Sequence, residues 1–347
     1  DAALDLPMRQ LVNIPSCVPA VPGLENSGAE FDANTVRRLA KLERVVGLAE
    51  VMDFLAVAQG EQRMLDILEA AEQEGLYLQG HVPTSNARLL SAYAVGGPTT
   101  CHETRTGEDA VQKIRLGLMV DARESSIAKD IEKVWGGVKN LRYLDRMSIC
   151  TDDRETHDIL EHGHMDNALR KAVACGMNGV DALRCATLHP ASESNLKHVG
   201  AIAPGYVADF LLLEDLIEFR VKAVYYEGRL VAKDGALTQE FPARSFALEQ
   251  INTMQVPQLK PEDFEIEAPV KQGGVEVNVL RFPNLDTSNT TRCVERIPVK
   301  DGKLDLLNER DLCYVKIINR YGKNTICNGT CVDNVLGFLF KERPLKN

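Results

Sequence analysis

Residues 80–103 read GHVPTSNARLLSAYAVGGPTTCHE, with one histidine near each end and a helical pattern between them. His81 closes the apolar run LYLQGHV (76–82), and His102 closes PTTCHE (98–103). Strand, helix, strand is the pattern of a βα unit on a parallel sheet, whose neighbouring strands present their carboxyl-end residues at one rim. Two imidazoles at one rim call for a partner that takes nitrogen ligands, and a divalent metal is such a partner.

The same alternation extends in both directions. Strands are predicted at 11–17, 45–52, 76–82, 98–103, 118–124 and 146–153, with helices at 33–43, 61–74, 85–95, 107–116 and 126–139 between them. Ser85 or Asn86 is placed to cap the third helix, and Gly75 to end the second. Two more helices are predicted near 165–175 and 179–187. Beyond residue 200 the texture changes to short strands joined by turns at Pro204-Gly205, Glu227-Gly228 and Asp234-Gly235. A proline- and acid-rich stretch, 256–269, then leads into an α+β or mostly β region from about 270 to 347.

Composition narrows the class. The 347 residues are 44% hydrophobic and 26% charged, and no apolar stretch approaches the roughly 20 residues of a membrane span. The net charge of −10, with lysine and arginine scattered, speaks against a nucleic-acid surface, which needs clustered cations. Nine cysteines at irregular spacings read as buried free thiols of a reducing, cytoplasmic compartment. Cys327 and Cys331 have no second pair at zinc-clamp spacing.

All six strands end on polar groups: Ser16-Cys17, Glu50, His81, His102-Glu103, Arg123-Glu124 and Asp152-Asp153. Any one of these is an ordinary capping or surface residue by itself. Imidazoles and carboxylates at one register of successive βα units form a ligand set for a divalent first-row metal. A buried Glu50 and the adjacent Asp152 and Asp153 also require a cation or donors nearby. His162-Gly163-His164 has the HxH form of a metal pair, but no apolar strand leads into it and a helix follows. His164 alone is left as a substrate contact, while His157, His189 and His198 read as solvent-facing or hydrogen-bonded.

Together these strand ends resemble the amidohydrolase superfamily. PSCVPA (15–20), GLAEVM (47–52), GHVP (80–83), CHE (101–103), TDDR (151–154) and GHMD (163–166) look like its adenine deaminase branch. ALRCATLHPASE followed by GAIAPGYVADFLLLED is similar to the superfamily's exit from the barrel. The resemblance implies an α/β fold: a (β/α)8 barrel, here with strands three to eight, part of a small β-sandwich, and a C-terminal domain. It implies parts at 1–195, 196–250 and 251–347.

The implied activity is hydrolysis of adenine to hypoxanthine and ammonia, with a metal-held hydroxide attacking C6. Glu50, His81, His102 and Asp152 would be the ligands of two divalent ions, manganese or iron ahead of zinc, with Glu50 bridging. Glu50 and Asp152 would be catalytic, and Glu103, Arg123, Asp153 and His164 would contact a purine. The resemblance further implies a homodimer in the full-length form, with no nucleic-acid or membrane partner.

Departures carry their own expectations. The branch's HxH strand is missing, Cys101 stands where an acid is usual, Asp53 where an amide is commoner, and RESS (123–126) replaces a glycine-containing run. The chain is therefore expected to be an internal fragment that binds metal weakly, folds poorly and turns over little. Another cyclic amide or amidine hydrolase, or an inactive remnant, is the alternative.

Overall fold

β-Branched and apolar runs become strands wherever a helix can return the chain to the same sheet edge. In the computed structural model, residues 6–23, 25, 27–240, 253–281, 291–306, 312–323 and 325–333 are described, 327–333 by backbone only. The chain divides into two units, Asp1–Arg244 and Ser245–Asn347.

The first unit contains all six expected strands: β1 (Val12–Ile14), β2 (Val45–Val51), β3 (Tyr77–Gly80), β4 (Thr100–Cys101), β5 (Met119–Arg123) and β6 (Met147–Cys150). β1-β2-β3 and β4-β5-β6 are each parallel and in chain order. The two groups meet where Thr99 N–H donates to Leu78 O (3.0 Å) and Gly80 N–H to Thr100 Oγ1 (3.1 Å). Contact there is so close that a Cβ on Gly80 would lie 2.1 Å from Thr100 O. Six parallel strands in sequence order, each followed by helix, agree with the α/β class expected.

The helices are α1 (Ala33–Leu39), α2 (Phe54–Gln59), α3 (Gln62–Gln73), α4 (Ala87–Val95), α5 (Gly107–Arg115), α6 (Ile131–Val138), α7 (Thr156–His162), α8 (Met165–Ala174), α9 (Gly179–Ala186) and α10 (Leu188–Glu193). Asn86 caps α4 through Oδ1, which accepts from Arg88 and Leu89 N–H, and Gly75 follows α3 at φ +75°. Apolar side chains of α1 to α4 pack on β1–β3 around Leu48, Met64, Ile67 and Leu78. Those of α5, α6, α8 and α9 pack on β5 and β6 around Val120, Ile131, Met147 and Ile149.

Several boundaries differ from expectation. The helix expected at 126–139 starts only at Ile131, because Ser125 Oγ accepts from Ile127 and Ala128 N–H and Asp130 N–H returns to Arg123 O. Such local serine bonds offer the backbone an alternative to helix. The helix expected at 33–43 stops at Leu39. α2, capped by Asp53, and α7 and α10 are additional.

β7 (Phe210–Leu213), β8 (Val221–Tyr226), β9 (Arg229–Lys233) and β10 (Ala236–Leu237) form an antiparallel meander within this first unit. Its hairpins turn at Glu227-Gly228 and Asp234-Gly235, where both residues of each pair have positive φ, the type I′ geometry. In the second unit, β11 (Gly273–Arg281), β12 (Thr291–Lys300), β13 (Lys303–Leu304), β14 (Leu312–Ile318) and β15 (Ile326–Asp333) lie in the order β13-β12-β11-β15-β14. Its described residues are mostly β, around a core of Val279, Ile297, Val299 and Leu312.

Among described residues no helix is long and apolar enough to cross a membrane. Cysteines 17, 101, 150, 175, 185, 293 and 313 are free thiols. Only Cys101 and Cys185 are fully buried, so the expectation of burial holds for those two and the others are half-buried. The side chains of Cys327 and Cys331 lie outside the described residues.

Candidate metal centre and active site

Glu50 is the penultimate residue of β2, His81 follows β3 directly, and His102 follows β4. Their side chains converge at the carboxyl ends of these strands, the end where βα folds carry chemistry. Glu50 Oε2 lies 2.8 Å from His81 Nδ1 and 2.6 Å from His102 Nε2, and the two ring nitrogens are 3.1 Å apart. The rings meet edge to face at 69°.

Main-chain anchors hold these strand ends. The buried Tyr93 hydroxyl of α4 donates to Val51 O (2.7 Å) and accepts from His81 N–H (2.9 Å), which ties the ends of β2 and β3 together. Buried Ser16, from the expected strand end at 11–17, donates through Oγ to Glu50 O (2.5 Å).

Burial alone would raise the Glu50 carboxyl, but hydrogen bonds and charge from His102 and His81 outweigh it and hold the group well below the usual carboxylate range. Burial works on His102 in the opposite sense, and Glu50, with Asp152 and Asp121 behind it, overrides that and raises the imidazole.

The trio fits a divalent first-row ion: two imidazole nitrogens and a carboxylate oxygen lie within 4.8 Å of one another. Bonds of about 2.1 Å in a tetrahedral site separate ligand atoms by roughly 3.4 Å. The three donors, at 2.6 to 3.1 Å, would have to part by about 0.3 to 0.8 Å to reach that separation.

A second set, His102, Glu103 and Asp152, also meets the distance requirement for a metal. Asp152 sits just past β6 in the left-handed region, φ +53°. Between Glu103 and Asp152 lies Arg123, the last residue of β5, only 4% exposed. Its Nη1 donates to Glu103 Oε1 and to Asp152 Oδ2 (2.9 Å), while Nε and Nη2 both reach Asp130 Oδ2 (3.1 and 2.9 Å). Glu103 Oε2 takes Arg105 Nη2 at 3.1 Å. Burial pushes the Glu103 carboxyl up, and the charges of Arg123, His81 and Arg105 outweigh it to hold the group below its usual range.

The remaining expected residues sit further out. Asp153 is exposed, and its N–H donates to Asp152 Oδ1 (2.8 Å). His164 is the exposed N-cap of α8, with Nε2 3.3 Å from Thr151 Oγ1. Neither contacts the Glu50–His81–His102 trio directly. His162 ends α7 with its side chain 60% exposed, and no metal-capable group among the described residues includes either half of the HxH pair. His189 is buried with Nδ1 donating to Met147 O (2.8 Å), His157 pairs with Glu161, and His198 packs edge-on against Tyr206.

Tyr93, Lys113, Arg105 and Asp130 were not expected here. A tyrosine among apolar helix residues and a lysine three positions from Ala110 carry a faint signal, visible once one face of each helix is known to be buried.

The sequence model of the Amidohydrolase family matches residues 1–231. "Adenine deaminase" of Nitratidesulfovibrio vulgaris (strain DP4) is 43% identical over 244 residues, covering 70% of this chain and 42% of that protein. "Adenine deaminase 3" of Rhizobium meliloti (strain 1021) is 33% identical over 327 residues, covering 92% of this chain and 54% of that protein. The chain thus spans about half the length of the curated relatives it matches. Among solved structures, a β-aspartyl dipeptidase from Fervidobacterium islandicum AW-1 aligns with TM-score 0.45 at 18% identity, over 59% of this chain and 64% of that one.

Proposed function

Because the chain belongs to the amidohydrolase family, we propose that it carries the catalytic region of an adenine deaminase, which hydrolyses adenine to hypoxanthine and ammonia. The observation that supports this best is the convergence of Glu50, His81 and His102 at three successive strand ends, in a chain similar to adenine deaminases. In this proposal residues 1–195 are the barrel, 196–250 a sandwich segment and 251–347 a C-terminal domain of a cytoplasmic homodimer.

Glu50, His81, His102 and Asp152 would hold two divalent ions, manganese or iron ahead of zinc. When bound, such an ion supplies the Lewis acidity that brings the pKa of water near neutrality. Asp152 is held on Oδ2 by Arg123 and on Oδ1 by Asp153 N–H, and takes a proton from water and returns it to the departing amine. Glu103, fixed by Arg123 and Arg105, orients the purine through its ring N–H. His164 and Asp153 line the approach.

Cys101, the residue before His102, favours a second reading: hydrolysis of another cyclic amide or amidine. The protein that carries this chain, supplied with Mn2+, Fe2+ or Zn2+, is expected to bind adenine and release ammonia from it. Neither binding nor ammonia release with adenine, alongside turnover of a dihydropyrimidine or imidazolone, would replace the first reading with the second.

A further inference from the structure

Lys113 stands on the inner face of α5 and is wholly buried, a charged side chain at a position where an amphipathic helix ordinarily places an apolar one. Its Nζ reaches three acceptors: Glu103 O at 2.5 Å, Asp109 Oδ2 at 2.9 Å and Thr104 Oγ1 at 3.3 Å. A lysine has three N–H donors, so the group is fully satisfied. Two of the three acceptors belong to the segment that directly follows His102. That segment is a tight turn, in which Thr104 N–H donates back to His102 O (2.9 Å) with Glu103 as the central residue.

The turn's own backbone bond uses His102 O, so the Glu103 carbonyl takes its donor from outside the turn, here the Lys113 ammonium, and a buried carbonyl left without one is costly. Buried charges are seldom the most stable filling for a core, and one well-attested use is to select a single arrangement of their surroundings. β4, which leads into the turn, has only two residues, Thr100 and Cys101, and so lends it little ladder support.

We propose that Lys113 is a positioning residue: it fixes the turn 102–104, and thereby aims the His102 imidazole at Glu50 and the Glu103 carboxylate at Arg123. It touches neither substrate nor metal in this role. The proposal deepens the site described above and rests on that reading for its purpose, but the contacts it names exist without any bound group.

The test uses metal-free protein without adenine, so loss of the deaminase or metal reading leaves its outcome intact. K113M keeps the apolar stem and removes only the donors. With circular dichroism and cooperative melting retained, amide exchange at Thr104 is expected to rise about tenfold while exchange in α3 and β2 stays unchanged. The ring 1H–15N signal of His102, assigned by its loss in H102N, is expected to move away from its wild-type position. Unchanged Thr104 exchange overturns the proposal, as does raised exchange with an unmoved His102 ring signal, which leaves Lys113 only a structural role. Should K113M not fold, T104V removes one acceptor from the turn itself. The same two readouts are then expected to move in the same direction by less, and a T104V protein identical to wild type in both overturns the proposal.

Discussion

Arg123 Nη1 lies 2.9 Å from Asp152 Oδ2, and the same buried guanidinium is bound to Glu103 and Asp130. Removing it leaves three carboxylates facing one another, two of them buried. R123M is therefore expected to destabilise the fold by about 3 to 5 kcal/mol, the cost of breaking a buried ion pair from one side. Urea unfolding measures this, and a loss under about 1 kcal/mol, the value of an exposed pair, would show the cluster to be solvated. R123K should not restore it, because one ammonium cannot reproduce a planar fork on two carboxylates.

Glu50 and His102 set the pH behaviour of the metal-free site. The lowered Glu50 carboxyl contributes stability above its unfolded value, near pH 4.5, and loses it as pH falls toward its lowered folded value. The raised His102 contributes fully below its unfolded value, near 6.5, and loses it as pH rises through the folded one. The pair's contribution to the melting temperature should thus peak between these values, read as the difference between wild type and H102N. Metal needs the deprotonated ligands, so stabilisation by added Zn2+ or Mn2+ should instead grow from pH 5.5 to 8. A zinc shift that shrinks over that range would argue against imidazole ligation.

Glu193, at the end of α10, has Oε1 buried without a partner, and burial, aided by the nearby Asp121 charge, pushes its carboxyl up to about 10. A carboxyl raised in the fold keeps its proton while the unfolded chain loses it. Its contribution therefore declines as pH rises from about 4.5 toward 10. E193Q should melt higher than wild type at pH 8 and nearly equal to it at pH 4. Equal melting temperatures at both values would show that Glu193 is ionised in the fold.

Gly80 is the close-approach residue between the two strand groups, where a Cβ would meet Thr100 O at 2.1 Å and the Tyr93 hydroxyl at 3.0 Å. G80A must displace backbone, at a cost of about 2 kcal/mol or more. It should also weaken metal binding through the adjoining His81. Wild-type stability together with wild-type zinc affinity would mean that β3 and β4 can part freely.

Much of this was legible in the sequence, for reasons that particular residues make plain. Glu50, His81 and His102 each close an apolar run, and the strand–helix alternation that makes those runs parallel puts their closing residues at one rim. The partners of Arg123 were not legible, since Glu103, Asp130 and Asp152 come from three loops whose adjacency depends on sheet order. The late start of α6 lay in serine hydrogen bonds that compete with a helical pattern of good apolar spacing. Lys113 and Tyr93 escaped notice because a polar tip on an apolar helix face looks like an ordinary surface or core residue until its acceptors are known.

The Tyr93 hydroxyl belongs to α4 and grips the ends of β2 and β3, whereas the turn after β4 is gripped from α5. The three candidate ligands are thus anchored from two different helices, and the bonds from Gly80 N–H to Thr100 Oγ1 and from Thr99 N–H to Leu78 O join the two anchorages. Substitutions on the outer face of α4 bear first on Glu50 and His81, and those on α5 bear first on His102, so these two surfaces, remote from the centre, are where its geometry can be tuned.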